Sequence, residues 1–404
     1  MVNVSSGVFT SKEMNMAKTN LAVVTSTAAD ALQAVRRDLK SRFFERDVVI
    51  DALLASLVAR THLLLLGPPG TAKSALVNAV TSSIEGATSF SWLLTKFSTP
   101  EEVFGPVSLA GLQQDHFRRI TAGKLPEAHV GFVDEIFKAS SAILNSLLTI
   151  ANERVFHNDG VVTCPLVTLV GASNELPDGE ELEALFDRFL FRAWVDYLAD
   201  GANVRALIAP AATIASAPAT MTMADLEACQ AQALAVQVPD EVLDLLVAVK
   251  RKAEGQGFRA SDRRWKAVVE FLRAWALVQG DTEVTDEHIV DALPDCLWRE
   301  PKDRAAIAAV VSSVANPTAA RATEILDAAK WAVKDLGEPT VRDANEKAEW
   351  VMNASTTASA LEAMLAELDV LIAKGKAPKT SAVRKKVESL ATEVGAKVAG
   401  LYRL

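Results

Sequence analysis

The feature that most constrains this chain is a short apolar run that stops at a turn rich in glycine and proline. Residues 63–66 are four consecutive leucines. They are followed by Gly67, Pro68, Pro69, Gly70, Thr71, Ala72, Lys73 and Ser74. The P-loop pattern is a glycine, four free positions and then Gly-Lys-Ser/Thr, and only Ala72 departs from it. A buried strand that feeds such a loop predicts an α/β fold with a phosphate-binding site.

In a P-loop, successive backbone N–H groups and the positive end of the following helix point at the phosphates. Lys73 would bridge the β and γ phosphates, and Ser74 would hold Mg²⁺. Ala72 keeps its N–H group and adds only a methyl group, so we expect its effect to be mild. A Gly/Pro turn that happens to contain Lys-Ser is the other interpretation, and the flanking strand and helix patterns disfavour it. The motif therefore predicts a bound nucleotide.

Strand and helix patterns alternate along the first half of the chain. Strands are predicted at residues 63–66, 130–133 and 166–170, and helices at residues 74–81 and 141–152. This alternation indicates an α/β layer structure with a parallel sheet. Beyond about Asp200 the strand signals stop, and alanine-rich helical patterns continue to the C-terminus.

These patterns predict four segments. Residues 1–25 have no sustained period and are expected to form a mobile arm, and residues 26–199 form the nucleotide-binding domain. Residues 200–300 form a helical domain, and residues 301–404 form a further helical segment. The last boundary is placed just before Pro301 because proline opens a new helix more easily than it continues one.

Composition disfavours several classes of protein. The formal net charge of -9 argues against a general affinity for nucleic acid and favours a protein partner. No window approaches the ~20 apolar residues of a membrane helix, and the N-terminal segment lacks the apolar block of a signal peptide. We therefore expect a cytoplasmic protein without membrane insertion. Cys164, Cys229 and Cys296 lie too far apart to suggest a disulfide framework or a zinc site.

A second motif ends the next predicted strand, where residues 129–133 are followed by Asp134 and Glu135. At the carboxyl end of a parallel strand, Asp134 would face the same crevice as the P-loop and could hold the Mg²⁺ shell. Glu135 could orient and deprotonate an attacking water. Two adjacent acids suit hydrolysis better than transfer to a small bound substrate. A solvated Asp-Glu pair at a strand end is the alternative.

Polar residues also occur at the ends of two later predicted elements. Asn174 comes after the predicted strand at residues 166–170, where it could touch the γ-phosphate or its attacking water. Asp187 and Arg188 interrupt what we interpret as an apolar helix end at residues 185–189. Taken singly, Asn174 is equally a turn residue, and Arg188 is equally a surface ion-pair partner of Asp187.

Taken as a series, these motifs resemble those of AAA+ ATPases. The P-loop, the apolar-Asp-Glu strand, the strand-end asparagine and Phe-Asp-Arg-Phe resemble, in order and spacing, the Walker A, Walker B, sensor 1 and arginine-finger segments. Residues 65–74 and 261–265, Ser-Asp-Arg-Arg-Trp, are similar more narrowly to the MoxR family, especially its RavA-like branch. The similarity covers about residues 30–300.

The resemblance implies an αβα nucleotide-binding domain, a helical lid over residues 200–300, the cofactors ATP and Mg²⁺, and a homo-oligomer that is usually a hexameric ring. It implies that Arg188 reaches the neighbouring chain's ATP and that Arg263 acts as sensor 2 at the nucleotide. Arg263 is favoured over Arg264, but one residue along a helix rotates a side chain by about 100°, so the choice stays open. It also implies a protein client, with a von Willebrand A domain as the leading candidate.

Two insertions fit this resemblance. Residues 102–112 lie where the MoxR group inserts an extra element before the Walker B strand. Residues 155–165 have the pattern of a hairpin, because Asp159-Gly160 between β-branched runs is a strong tight-turn signal. In related ATPases these projections face the partner or the pore of the ring. Surface loops with no binding role are the alternative.

The C-terminal segment departs from RavA-like proteins. Helical patterns at residues 305–336, 344–373 and 381–398 predict a three-helix bundle. We find no strand-rich stretch that could form the small β-rich domain of those proteins. Partners that bind that domain are therefore not carried over to this chain.

Three classes of function follow from these residues. A ring-forming ATPase that remodels or activates a protein partner is favoured, because every part that it needs has a candidate. A nucleotide-gated assembly scaffold with little turnover is the alternative, which Ala72 permits and Glu135 disfavours. A P-loop kinase or GTPase would need a phosphate-acceptor pocket or a guanine-selecting Asn-Lys-x-Asp segment, and we find neither in the sequence.

Overall fold

A computed structural model describes residues 28–209, 217–339, 344–374 and 378–401. The predicted arm of residues 1–25 lies outside these ranges. The chain divides into two units, of which the first comprises Met1–Val247 with Ala253–Ile307 and the second Ala248–Lys252 with Ala308–Leu404. No helix in the described ranges is long and apolar enough to cross a membrane.

The first unit is built on a five-stranded parallel sheet. Its strands are β1 (His62–Leu66), β3 (Ser89–Leu93), β4 (Val130–Asp134), β7 (Thr168–Ser173) and β8 (Phe189–Trp194). Their order in the sheet is β3-β4-β7-β1-β8. β1 and β7 are buried along their whole length, and strands covered on both faces are continuously apolar, like the leucine run of β1. The remaining pairs are β2 (Ile84–Glu85) with β9 (Met221–Thr222), and β5 (Val155–His157) with β6 (Val161–Thr163).

Helices account for most of the other described residues. They are α1 (residues 28–42), α2 (Asp47–Ala59), α3 (Lys73–Ser82), α4 (Pro100–Phe104), α5 (Leu109–Leu112), α6 (Ser141–Glu153), α7 (Glu180–Phe186), α8 (Gly201–Ile208), α9 (Met223–Ala235), α10 (Asp240–Gly255), α11 (Asp262–Gln279), α12 (Asp286–Leu297), α13 (Arg304–Ala315), α14 (Pro317–Leu336), α15 (Ala344–Lys374) and α16 (Pro378–Leu401). Short 3-10 helices lie at Leu125–Glu127, Ile136–Lys138 and Pro301–Asp303. The fold is therefore an α/β domain followed by helices, as the sequence predicts.

Three of the five sheet strands match the predicted strands, and two were missed. β3 and β8 flank the sheet, and neither was predicted from the sequence. The interpretation of residues 185–189 as a helix end is only half right. α7 ends at Phe186, and Phe189 already begins β8. Asp187 and Arg188 therefore lie in the tight connection between a helix and a strand.

Helix α11 packs on β8, an edge strand of the sheet. Phe271 and Trp275 of α11 are buried, and their rings lie 5.5 and 5.9 Å from the ring of Phe191 in β8. Aromatic rings at such separations contribute stability beyond the area that they bury. α11 is thereby held against the strand that directly follows Arg188.

The predicted hairpin is present and is joined to the preceding insertion. β5 pairs with β6 in antiparallel orientation, and the turn places Asp159 and Gly160 at φ 53° and 121°. The side chain of Asn158 accepts a hydrogen bond from the backbone N–H of Arg119 at 2.5 Å and donates one to its carbonyl at 3.1 Å. Asn158 thus satisfies both backbone groups of Arg119, which in turn pairs with Val107 of the insertion.

The second unit contains the predicted C-terminal helical bundle. α14, α15 and α16 surround an apolar core that includes Ala329, Leu361, Leu368, Val387 and Val394. The predicted single helix at residues 305–336 is wrong, because α13 ends at Ala315 and α14 begins at Pro317. Proline disfavours the helical conformation in the residue before it, which explains the break. The boundaries predicted near residues 200 and 300 stay predictions.

His62, the first residue of β1, is buried and lies near the positive charge of Arg154. Its Nδ1 accepts a hydrogen bond from the backbone N–H of Leu169 at 3.0 Å, and its Nε2 lies 2.9 Å from the carbonyl oxygen of Ala151. The tautomer with the hydrogen on Nε2 satisfies both contacts. Burial, and secondarily the positive charge of Arg154, lower the pKa of His62 from 6.5 to about 3.

We expect His62 to make the protein acid-sensitive. The imidazole protonates near pH 6.5 in the unfolded chain but only near pH 3 in the folded chain, so its contribution to stability is complete above the first value and is lost as the pH falls toward the second. At pH 5 the free energy of unfolding would be about 2 kcal/mol lower than it is above pH 6.5. Urea unfolding at pH 5 and at neutral pH measures it. The variant His62→Gln should flatten the pH dependence, and His157→Gln, on the exposed hairpin, should not. Equal slopes in all three proteins would refute the assignment.

Candidate nucleotide-binding site

The P-loop joins the end of β1 to the start of α3. Gly67 has φ 141°, and a Cβ atom at this position would lie 2.1 Å from the carbonyl oxygen of Val195. Its N–H donates to the carbonyl oxygen of Ser173 at 3.2 Å, which ties the loop to the neighbouring strand β7. Only glycine fits here, so the first residue of the motif has a steric reason.

Ala72 is more strained than the sequence suggests. It adopts the left-handed conformation, with φ 65° and ψ 22°, directly before the first turn of α3. A side chain in this region costs roughly 1–2 kcal/mol, which a glycine would avoid. The expectation of a mild effect considered only the added methyl group of Ala72. It did not include the energetic cost of the left-handed backbone.

Lys73 is held over the loop that it follows. Its Nζ donates to the carbonyl oxygens of Gly67 and Pro68, each at 2.8 Å. Burial lowers the pKa of Lys73, and the charges of Asp134 and Glu135 act in the opposite direction. The ammonium group is thus positioned between the loop and the two acids.

The P-loop and the ends of two sheet strands line one cavity of about 240 Å³. Asp134 ends β4, and Asn174 follows β7 directly. The lining residues are Pro69, Gly70, Thr71, Ala72, Lys73, Ser74, Ala75, Asp134, Glu135, Ser173 and Asn174. The structure thus brings together the P-loop, both acids and the asparagine at the carboxyl edge of the sheet, where open α/β sheets bind ligands.

The acids of this cavity fit a magnesium-bound nucleotide. Asp134 Oδ1 accepts a hydrogen bond from the backbone N–H of Glu135 at 3.0 Å. Glu135 Oε2 is buried without an aligned hydrogen bond, although Lys138 Nζ lies 3.2 Å away. Ser74 and Asp134 supply the oxygen ligands that Mg²⁺ prefers, and the carboxylate of Glu135 lines the same cavity. The residues present therefore fit the metal that the motif implies.

Arg188 and Arg263 lie on a different cavity, of about 760 Å³, that none of the P-loop residues lines. The carboxylate of Asp187, the residue before Arg188, binds Arg263 at 2.7 Å and Arg264 at 3.3 Å. Burial alone would raise the pKa of Asp187, but the two arginines hold it below its ordinary value. Burial and the nearby Arg263 lower the pKa of Arg188. The carboxylate of Asp187 is thus engaged by Arg263 and Arg264.

Arg264 is a buried structural residue, whereas Arg263 is exposed. Only 3% of Arg264 is accessible to solvent. Its guanidinium donates to the carbonyl oxygens of Asp187, Phe189, Leu190 and Cys296. Those bonds leave Arg264 no freedom to meet a ligand, so Arg263 is the better candidate of the two.

Two family models match consecutive parts of this chain. The model of the MoxR domain in the MoxR-vWA-beta-propeller ternary systems matches residues 30–235, slightly more than half of the 404 residues. The chain belongs to the MoxR family of AAA+ ATPases. A model of the AAA lid domain matches residues 241–311. The family resemblance seen in the sequence motifs is confirmed.

Individual relatives agree with this membership. An uncharacterised protein of Methanocaldococcus jannaschii is 39% identical over 317 residues, which cover 77% of this MoxR-family chain and 84% of the relative. The chaperone MoxR1 of Mycobacterium tuberculosis is 26% identical over 293 residues, which cover 67% of this chain and 77% of that protein. A crystal structure from Cytophaga hutchinsonii, provisionally described as an ATPase, superposes with a TM-score of 0.61 at 15% identity over 74% of this chain and 98% of its own. This last likeness shows the fold alone.

Within one MoxR-family chain, the predicted site residues therefore fall into two groups. Lys73, Ser74, Asp134, Glu135 and Asn174 converge on the P-loop cavity. Arg188 and Arg263, predicted to act on nucleotide, line the other cavity. The roles of Arg188 as arginine finger and of Arg263 as sensor 2 stay predictions. The arrangement does not support binding of Arg263 to the nucleotide of its own chain.

Sequence reasoning missed two supporting side chains. Lys138 follows Glu135 by three residues, and this spacing on a helical turn is a signal that could have found the contact. Asn152 accepts a hydrogen bond from Arg188, which lies 36 residues later. No local spacing could have predicted that pair.

Proposed function

We propose that this MoxR-family protein is a ring-forming ATPase that couples ATP binding and hydrolysis to the remodelling or activation of a protein partner. The main support for this proposal is that Arg188 and Arg263 line a cavity separate from the P-loop cavity of their own chain. A head-to-tail ring would bring these arginines to the ATP of the next chain. Each active site would then combine residues of two chains. A cytoplasmic location belongs to the same proposal.

The roles of the residues follow from their positions. The P-loop amides and Lys73 would hold the phosphates, and Ser74 and Asp134 would hold Mg²⁺, which neutralises charge on the phosphate oxygens. Glu135 would orient a water and accept its proton, with Asn174 beside the γ-phosphate. Arg188 from the neighbouring chain would stabilise the charge that develops on the transferred phosphoryl group. Arg263 would assist as sensor 2 from the same neighbouring chain.

Partner contact is proposed for the insertion and the hairpin. Both expose large apolar side chains, with Leu109 77% and Leu112 47% accessible in the insertion and Val161 67% accessible in the hairpin. Exposed apolar clusters on a soluble protein indicate binding surfaces. The family model that matches this chain comes from systems that pair a MoxR domain with a vWA protein. A von Willebrand A domain protein is therefore the proposed client.

Assembly provides the test of this proposal. The Glu135→Gln protein should retain ATP, and light scattering with ATP and Mg²⁺ should give a mass of about six chains. It should then bind an isolated von Willebrand A domain protein, whereas Lys73→Ala should bind it weakly because it cannot retain ATP. A Glu135→Gln protein that stays monomeric with saturating ATP would contradict the ring.

A further inference from the structure

Arg188 is supported by neutral oxygen atoms. Its Nε donates to Oδ1 of Asn152 at 3.0 Å, and its Nη1 donates to the carbonyl oxygen of Ala184 at 2.7 Å. The carboxylate of the adjacent Asp187 binds Arg263 and Arg264 instead. An arginine held by neutral acceptors keeps its charge for an external anion, whereas a carboxylate partner would compete with that anion.

Asn152 itself occupies a fixed position. It lies in the last turn of α6, which Arg154 ends in a left-handed conformation with φ 57°. The guanidinium of Arg154 donates to the carbonyl oxygens of Ala151 and Arg60, and its own carbonyl accepts from the N–H of Cys164 at 2.7 Å. The end of α6 is therefore anchored both to the segment before β1 and to the base of the hairpin.

The two helices that carry this contact are also joined at their other ends. Ser141 Oγ, at the start of α6, donates to Glu181 Oε2, near the start of α7, at 2.8 Å. A second contact joins the segment before α6 to the end of α7, because the rings of Phe137 and Phe186 lie 6.1 Å apart. α7, which leads into Arg188, is thus held along α6, and the amide of Asn152 contacts Arg188 just beyond the end of α7.

We propose that Asn152 is the positioning residue of Arg188 and that it orients the guanidinium toward the ATP of the neighbouring chain. The proposal rests on the proposed role of Arg188 in a ring. Asn152 touches no substrate in this account and acts only through Arg188. Removing its side chain should therefore impair the site of the next chain and leave the site of its own chain intact.

Mixtures of two inactive variants separate these sites. Chains with Glu135→Gln still carry Arg188, and chains with Arg188→Ala still carry Glu135. In a mixture, an Arg188→Ala chain can receive the arginine of an adjacent Glu135→Gln chain and recover ATP hydrolysis. Asn152→Ala is then placed either in the chain that donates the arginine or in the chain that receives it.

We expect a strongly asymmetric result. In the donating chain, Asn152→Ala should lower the recovered ATPase rate about tenfold, the usual consequence of losing a hydrogen bond to a charged group in the transition state. In the receiving chain it should change that rate by less than about twofold, because that chain has already lost Arg188. The KM for ATP should stay unchanged in both mixtures.

The matched control is Asn145→Ala, an exposed asparagine two turns earlier on the same helix, which should have no effect in either chain. Thermal unfolding and ATP binding of each variant show that it is folded. Equal losses in both chains would mean that Asn152 supports its own chain's fold or site, and no loss in either would mean that it does not position Arg188. Both results overturn the proposal. Failure of the starting mixture to recover activity would instead contradict the role of Arg188 itself.

Discussion

Replacing Glu135 by glutamine is expected to reduce ATP hydrolysis by at least about 100-fold while ATP affinity is kept, because loss of a general base typically costs that much. The carboxylate lines the P-loop cavity, and its buried Oε2 has no aligned hydrogen bond. Glutamine keeps the shape of the side chain but cannot accept the proton of the attacking water. Lys73→Ala should instead lose tight ATP binding, because the ammonium group that meets the phosphates is removed.

Both expectations can be measured with the same two assays, release of phosphate and binding of a fluorescent ATP analogue. Glu153→Gln and Lys96→Ala are matched controls, since both change an exposed residue outside the P-loop cavity and should leave rate and affinity unchanged. Hydrolysis by Glu135→Gln at the unmodified rate would show that the Walker B assignment is wrong. A wild-type protein that binds ATP and assembles without turnover would favour the nucleotide-gated scaffold.

The P-loop side of the site could be predicted because it depends on local pattern. Parallel strands end at one edge of a sheet, so the residues that follow β1, β4 and β7 had to converge. That rule alone places Lys73, Asp134 and Asn174 on one cavity. The strain at Ala72 could not be found in this way, because it arises from the φ angle of one residue.

The arginine side depends on tertiary packing and was only partly predictable. Arg263 and Arg264 are adjacent on α11, and nothing local distinguishes them. The distinction comes from carbonyl groups of β8 and α12 that hold Arg264 in the interior. β8 was missed because its aromatic run follows α7 after only two residues, so we interpreted its first residue as part of a helix end.

The break between α13 and α14 shows a different kind of error. Its signal, Pro317, was present in the sequence, and the residue before a proline is disfavoured in helices. Our prediction followed the alanine-rich periodicity and drew one helix through this proline. Asn316 nevertheless lies outside both helices.

The composite active site is the central claim, and mixing two inactive variants tests it most directly. Glu135→Gln removes the proposed base, and Arg188→Ala removes the proposed arginine finger, so neither protein alone should hydrolyse ATP well. In an equal mixture with free subunit exchange, roughly a quarter of the interfaces in a head-to-tail ring should pair an intact base with an intact finger. These interfaces should regain ATPase activity.

The measurement is the ATPase rate of the mixture, with subunit exchange followed by energy transfer between fluorescently labelled chains. An unmixed sample of each variant at the same total concentration is the control. The account predicts a rate clearly above both controls, approaching a quarter of the wild-type rate if the sites act independently. An arginine that acts within its own chain could not produce this recovery, because every chain in the mixture carries a defect. A mixture that exchanges subunits and stays as inactive as its parents, while wild-type activity falls only in proportion when diluted with either variant, would contradict the composite site.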